Sequence, residues 1–131
     1  MDSSSIQLPD TEIAGVNLSE GQLRVHLARA YLVKTMTGSD EKTQWWQAGD
    51  LVLDEAEVHG ALPDGPALCA GGDVEENVYV YRDMIPVPLD SRGRCRCDLA
   101  LKDSAQRITA DGTAVRLEMR DVPKYIRHIR D

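Results

Sequence analysis

Apolar and polar residues alternate one by one through several stretches of the chain, most clearly in its C-terminal half. In AVRLEMR (114–120), three apolar residues alternate with Arg and Glu. A period of two residues is typical of a β-strand with one face in the core and the other in solvent. NVYVYRD (77–83) and MIPVPLD (84–90) alternate in the same way. The prolines of the latter segment predict a sheet edge, because proline cannot donate a ladder hydrogen bond.

Two of the three cysteines lie in another alternating segment, RCRCDLALK (94–102). Cys95 and Cys97 fall on the same face as Leu99 and Leu101, where a free cysteine behaves as a small apolar residue. A structural zinc site takes four ligands, usually from paired Cys-x₂-Cys motifs, and the chain has no such pair. We therefore predict that both thiols are buried in a core and bind no metal.

Turn-forming sequences recur every ten to twenty residues, for example TGSDEKT (37–43) and GALPDGP (60–66). This spacing, with short apolar runs between the turns, predicts an all-β fold. We expect a single-domain antiparallel β-sandwich or flattened barrel of about seven to nine short strands over residues 11–131. The polar segment at residues 1–10 is predicted to be a disordered leader.

A β-hairpin is predicted around Asp111 and Gly112. Asp-Gly is the dipeptide that a two-residue type I′ turn prefers, because both central residues need a positive φ. This register would place Ile108 opposite Val115, on one apolar face.

The segment at about residues 20–36 is open to two interpretations. Ser19, with a glutamine three residues later, resembles a helix N-cap, and a helix here would give an α+β fold as the alternative. However, VHLARAYL (25–32) and LVLDEAEV (51–58) share one alternating pattern that is interrupted as if by a β-bulge. We therefore favour a strand.

Composition and charge narrow the class of protein. The 131 residues carry a net charge of −7, which argues against nucleic acid as a partner, because phosphate affinity comes from clustered Lys and Arg. An odd number of cysteines and a polar N-terminus indicate a cytoplasmic protein. No stretch has the roughly 18 apolar residues of a membrane span. No cofactor is expected, because nucleotide-binding glycine motifs are missing.

One segment carries a candidate metal site. In DEAEVHG (54–60), a strand would place Glu55, Glu57 and His59 on one face. Two carboxylates and an imidazole at this spacing are suited to binding a divalent metal or to acid–base catalysis. The solvent face of an antiparallel strand has the same pattern, and we favour that interpretation.

The adjacent residues Trp45 and Trp46 are difficult to explain by core packing alone. In an extended segment they point to opposite faces, so only one of them can enter a single core. Exposed tryptophan is enriched where proteins contact partners or ligands. We therefore predict that one of the two lies at a ligand or partner surface.

These observations favour a non-enzymatic binding module that associates with itself or with another protein. Two alternatives remain open. One is a metal-dependent hydrolase that uses Glu55, Glu57 and His59, and the other is a β-sandwich that binds a sugar or another small molecule at Trp45 or Trp46.

Overall fold

The structure, a computed structural model, describes residues 3–36, 38 and 41–129. These residues form nine strands and no helix, which confirms the predicted all-β fold. The strands are β1 (Ser3–Ser19), β2 (Gln22–Thr35), β3 (Lys42–Asp54), β4 (Glu57–His59), β5 (Ala67–Glu76), β6 (Tyr79–Arg82), β7 (Met84–Val87), β8 (Asp90–Leu101) and β9 (Arg107–Ile129). Several are longer than predicted. No helix among the described residues is long and apolar enough to cross a membrane.

All nine strands belong to one antiparallel sheet, and six of them close into a ring. Its hydrogen-bonded order is β1-β2-β3-β9-β8-β5, and β5 returns to β1. The return is short, because only Glu12–Leu68 and Ile13–Ala67 pair there. The ring is therefore a flattened barrel that closes at one end.

The core fills the inside of this ring with aliphatic side chains and the three cysteines. Alternate residues along β2 and β8 are buried, as a period of two requires. Cys95 and Cys97 lie among them and are almost fully buried, which confirms their predicted position. Burial raises the pKa of Cys97 to about 12, so this thiol stays protonated at neutral pH. The buried hydrophobic cluster is formed by Ile6, Leu8, Ile13, Leu23, Val25, Leu27, Ala30, Leu32, Leu51, Leu53, Cys69, Val74, Ile85, Leu89, Cys95, Cys97, Leu99, Leu101, Ile108, Ala110 and Val115.

The segment for which the sequence allowed either a helix or a strand forms β2. The α+β alternative with a helix at residues 20–36 is therefore wrong. Its register against β3 shifts between Leu27 and Ala30, which is the predicted irregularity. Val25 lies directly opposite Leu51, so the two similar segments meet at their first residues, whereas residues 55–58 of the second segment lie beyond the end of β3. Burial of alternate residues stabilises a strand here, and this effect outweighs the preference for a helix that the capping pattern at Ser19 indicates.

The leader predicted over residues 1–10 is not supported, because residues 3–10 are part of β1. Ile6 and Leu8 are almost fully inaccessible to solvent. These two apolar side chains, at a spacing of two, bury part of this segment in the core despite its polar composition. Residues 1 and 2 lie outside the described residues, as do 37, 39 and 40 of the predicted turn TGSDEKT and 130–131 at the C-terminus.

The segment MIPVPLD was predicted to lie at a sheet edge. Met84–Val87 form β7, which pairs with β1 and ends the order of strands in the sheet. Ile85 points into the core, as its place in the alternation requires. The edge position is confirmed.

The hairpin predicted at Asp111-Gly112 is wrong. β9 runs through this point without turning, and Gly112 pairs with Cys95 of β8. A Cβ atom added at Gly112 would lie 2.7 Å from the carbonyl oxygen of Asp54, where β3 ends. Glycine is needed here for close approach of two backbones rather than for a turn.

Gly112→Val is therefore expected to lower the free energy of unfolding by about 2 kcal/mol, because the added side chain overlaps backbone that cannot easily move. Gly15→Val is the matched control. Gly15 is also a strand residue, but apart from its own chain neighbours, no atom of the described residues lies within 4 Å of a Cβ added there. Urea unfolding followed by circular dichroism measures both variants. Equal stability of the two would contradict the close approach at Gly112.

Candidate functional site

The C-terminal half of β9 extends past the barrel and has a free edge. From Arg107 to Arg116, β9 pairs with β8 on one side and with β3 or β4 on the other. From Glu118 to Ile129, β3 is its only partner strand among the described residues. We call Glu118–Ile129 the β9 edge. Its outward N–H and C=O groups are available to another strand.

Apolar side chains are exposed along the β9 edge. Val122 is 76% exposed, and Tyr125 and Ile126 are also open to solvent. Two register shifts against β3, one between Trp46 and Ala48 and one between Gln44 and Trp45, account for the exposure of Val122 and Ile126. The extra residues of such bulges leave the ladder and bend the strand, so their side chains do not reach the core.

The β9 edge is basic, although the chain as a whole is acidic. Arg127 donates a hydrogen bond to the side-chain oxygen of Gln44 at 2.9 Å. Lys124 lies over the Trp46 ring, with its Nζ 4.7 Å from the ring centroid. Among the described residues, neither cation forms an ion pair with a carboxylate, so both charges are available to an acidic partner.

Trp45 faces the interior at the end of the barrel. Its indole N–H donates a hydrogen bond to Thr43 Oγ1 at 2.8 Å, and the ring packs against the core cluster. Lys34 Nζ lies 4.4 Å from its ring centroid. Tyr125 of the β9 edge meets the ring edge-on at a centroid distance of 5.3 Å. Trp45 therefore ties the β9 edge to the core.

Trp46 lies on the opposite face, as the sequence predicted, and it is half-buried. Arg29 of β2 and Lys124 of β9 place their cations 4.5 Å and 4.7 Å from its ring centroid. An open trough of about 590 Å³ extends from Trp46 past Tyr31 to Arg127. Trp46 therefore holds two cations beside a shallow basic trough that borders the β9 edge.

An ion cluster centred on Asp50 joins β2, β3 and β9 on the outside of the sheet. The Asp50 carboxylate accepts hydrogen bonds from Arg24 at 2.8 Å and from Arg120 at 2.6 Å, and its side chain is only 6% exposed. His26 Nδ1 lies 3.1 Å from the same carboxylate. Burial raises the pKa of Asp50, but the hydrogen bonds from the two arginines and His26 outweigh burial and hold this pKa below its usual range.

A second exposed apolar surface lies at β6, one of the two ends of the strand order. β5 and β6 form a hairpin, which we define as Asp73–Arg82 and call the β5–β6 hairpin. Val78 at its turn is 87% exposed, and Tyr79 and Val80 are also exposed. Within residues 3–36, 38 and 41–129, β6 pairs with β5 alone, so its other edge is free of these residues.

Glu55, Glu57 and His59 do not share one strand face. β3 ends at Asp54, and Glu55 has a φ of 47°, so the chain turns before β4 begins at Glu57. His59 Nε2 lies 2.6 Å from a carboxylate oxygen of Asp111. No group of three or more His, Cys, Asp or Glu residues within 3–36, 38 and 41–129 is arranged to hold a metal ion.

The β9 edge and the β5–β6 hairpin were not recognised as sites from the sequence. The exposed apolar residues of YIRHI and NVYVY were visible, but their alternation is equally typical of strands with a buried face. Which strands lack a second partner depends on pairing between distant parts of the chain. The Asp50 cluster likewise joins distant residues, since Asp50 and Arg120 are 70 positions apart in the sequence.

Comparison with known proteins adds no assignment, since no family model, curated protein or solved structure matches this chain.

The two tryptophans are expected to differ in their effect on stability. Trp45→Ala removes packing against the core and should lower the free energy of unfolding by about 3 kcal/mol. Trp46→Ala removes two exposed cation–π contacts and should cost about 1 kcal/mol. Urea unfolding followed by circular dichroism measures both. A larger loss for Trp46→Ala would contradict the assignment of the inner and outer faces.

Asp50 is expected to make stability depend on pH. Its pKa is lowered by folding, so its contribution is complete above the unfolded-state pKa of about 3.9 and is lost as pH falls through the folded-state value. Asp50→Asn should therefore cost about 1–3 kcal/mol at pH 7 and progressively less below about pH 4. Guanidinium unfolding at several pH values measures this difference. Asp64→Asn, at an exposed loop position, is the control. A constant difference between wild type and Asp50→Asn across this range would contradict the role of Asp50.

Proposed function

We propose that the protein is a non-enzymatic binding module that self-associates through its β9 edge. The main observation behind this proposal is that Glu118–Ile129 has one partner strand among the described residues and exposes three apolar side chains. An exposed strand edge with apolar residues is a template for pairing with another polypeptide.

Main-chain groups supply the basis of this interaction. A strand added beside β9 would hydrogen-bond to N–H and C=O groups that otherwise contact water. Side chains then supply specificity, because Tyr125 and Ile126 offer apolar contact beside the cations of Lys124 and Arg127. We therefore expect the partner segment to be extended, apolar and acidic.

The alternatives have less support. A hydrolase that uses Glu55, Glu57 and His59 needs these groups to converge, and the turn at Glu55 separates them. The trough beside Trp46 would suit a small anion better than a sugar. A sugar stacked on this indole would have to displace Arg29 or Lys124 from the ring.

Self-association through the β9 edge is tested by sedimentation velocity between about 10 μM and 1 mM, the range of weak interactions. The sedimentation coefficient of the wild type should rise with concentration. Val122→Glu combined with Ile126→Glu should remain monomeric, because both positions are exposed and the new charges replace apolar contact. The matched control is Leu18→Glu, at an exposed apolar position on β1. A wild type that stays monomeric, or an edge variant that associates equally well, would refute the proposal.

A further inference from the structure

We infer that the occupant of the β9 edge is the β5–β6 hairpin of a second copy of the chain, so that the copies associate head to tail. This inference rests on the proposed function and adds to it the identity of the partner segment.

The two surfaces match in length and in available hydrogen-bonding groups. Asp121 has a φ of 62°, and Pro123 has no N–H, so a regular ladder cannot run through residues 121–123. Lys124–Ile129 is therefore the part of the β9 edge beyond this break, and it contains one bulge, because Ile126 has no partner on β3. β6 has four residues, Tyr79–Arg82, and its free edge fits within this length.

The two surfaces are also complementary in apolar contact. Val78 and Val80 are exposed on the hairpin, and Tyr79 stacks on Tyr81 at a centroid distance of 6.5 Å. Because successive side chains of a strand alternate, Val80 lies on one face of β6, and Tyr79 and Tyr81 lie on the other. Cross-strand pairs of aromatic and β-branched residues stabilise sheets, and the β9 edge offers an aromatic residue and an isoleucine at Tyr125 and Ile126.

The charges of the two surfaces favour pairing of the hairpin of one copy with the β9 edge of another. The β5–β6 hairpin carries three carboxylates and one arginine, a net charge of −2, whereas Lys124–Ile129 carries one lysine and one arginine, a net charge of +2 with His128 neutral. Glu76 accepts a hydrogen bond from the Tyr81 hydroxyl at 3.3 Å and forms no ion pair with a described residue. Its charge is therefore available to Lys124 or Arg127 of the neighbouring copy.

A symmetric dimer fits these charges less well. Antiparallel pairing of two β9 edges centred on Tyr125 and Ile126 would place Lys124 opposite Arg127, and like charges directly opposite each other destabilise a sheet. Pairing of two hairpins through β6 would leave the basic β9 edge of both copies without an acidic partner. Joining two different surfaces leaves one of each free in every dimer, so association continues to longer chains or closes into a ring.

The experiment uses two variants of the full chain that each lose one surface. The hairpin variant is Val78→Lys combined with Val80→Lys, and the edge variant is Val122→Glu combined with Ile126→Glu. All four positions are exposed, and far-UV circular dichroism with thermal unfolding verifies that each variant is folded. Leu18→Lys is the control for adding a lysine at an exposed apolar position.

Sedimentation velocity is measured for each variant alone and for their equimolar mixture. Each should be monomeric alone, whereas the mixture should form a dimer that does not grow further, because only one intact hairpin and one intact β9 edge can meet. A hairpin variant that still self-associates while the edge variant does not would refute the head-to-tail inference and leave the β9 edge as the binding surface. A monomeric wild type would refute both proposals. A mixture that stays monomeric would refute the inference alone.

Discussion

The short pairing between β1 and β5 is the constraint on which the architecture depends. Glu12–Leu68 and Ile13–Ala67 close the ring, and beyond them the two strands take different partners. β5 continues with β6 while β1 continues with β7, and the two partners separate at Asp83. Asp83 fixes this branch point, because its backbone N–H donates to Gly72 and its carbonyl accepts from Leu8. Because β1 and β5 pair only briefly, the barrel closes at one end, and strand edges remain free at the other end.

The Asp50 cluster stabilises the part of β9 that extends past the barrel. Beyond Leu117, β3 is the only strand in the described part of the chain that pairs with β9, so β3 must hold it there. A carboxylate on β3 that accepts hydrogen bonds from Arg24 on β2 and Arg120 on β9 connects three strands at this level. Because Asp50 is nearly buried, its charge is less screened than that of a surface ion pair. The β9 edge is therefore held in place while its outward side remains open.

The sequence predicted features that depend on local periodicity and failed on features that depend on pairing. Strand periodicity and the burial of Cys95 and Cys97 follow from alternation alone. The dipeptide Asp111-Gly112 has the composition of a turn, but the same glycine serves equally well where Asp54 approaches closely. The free edge of β9 has no local signal, because it results from where β8 begins and which strand β5 joins.

The adjacent tryptophans show how one segment serves both the core and the surface. Trp45 packs inward and meets Tyr125, so it holds the β9 edge against the end of the core. Trp46 packs outward and holds Arg29 and Lys124 close to its ring. Because successive side chains of a strand alternate, neither tryptophan can take the role of the other. The pair therefore stabilises the binding surface from both faces of β3, while the atoms that would contact a partner belong to β9.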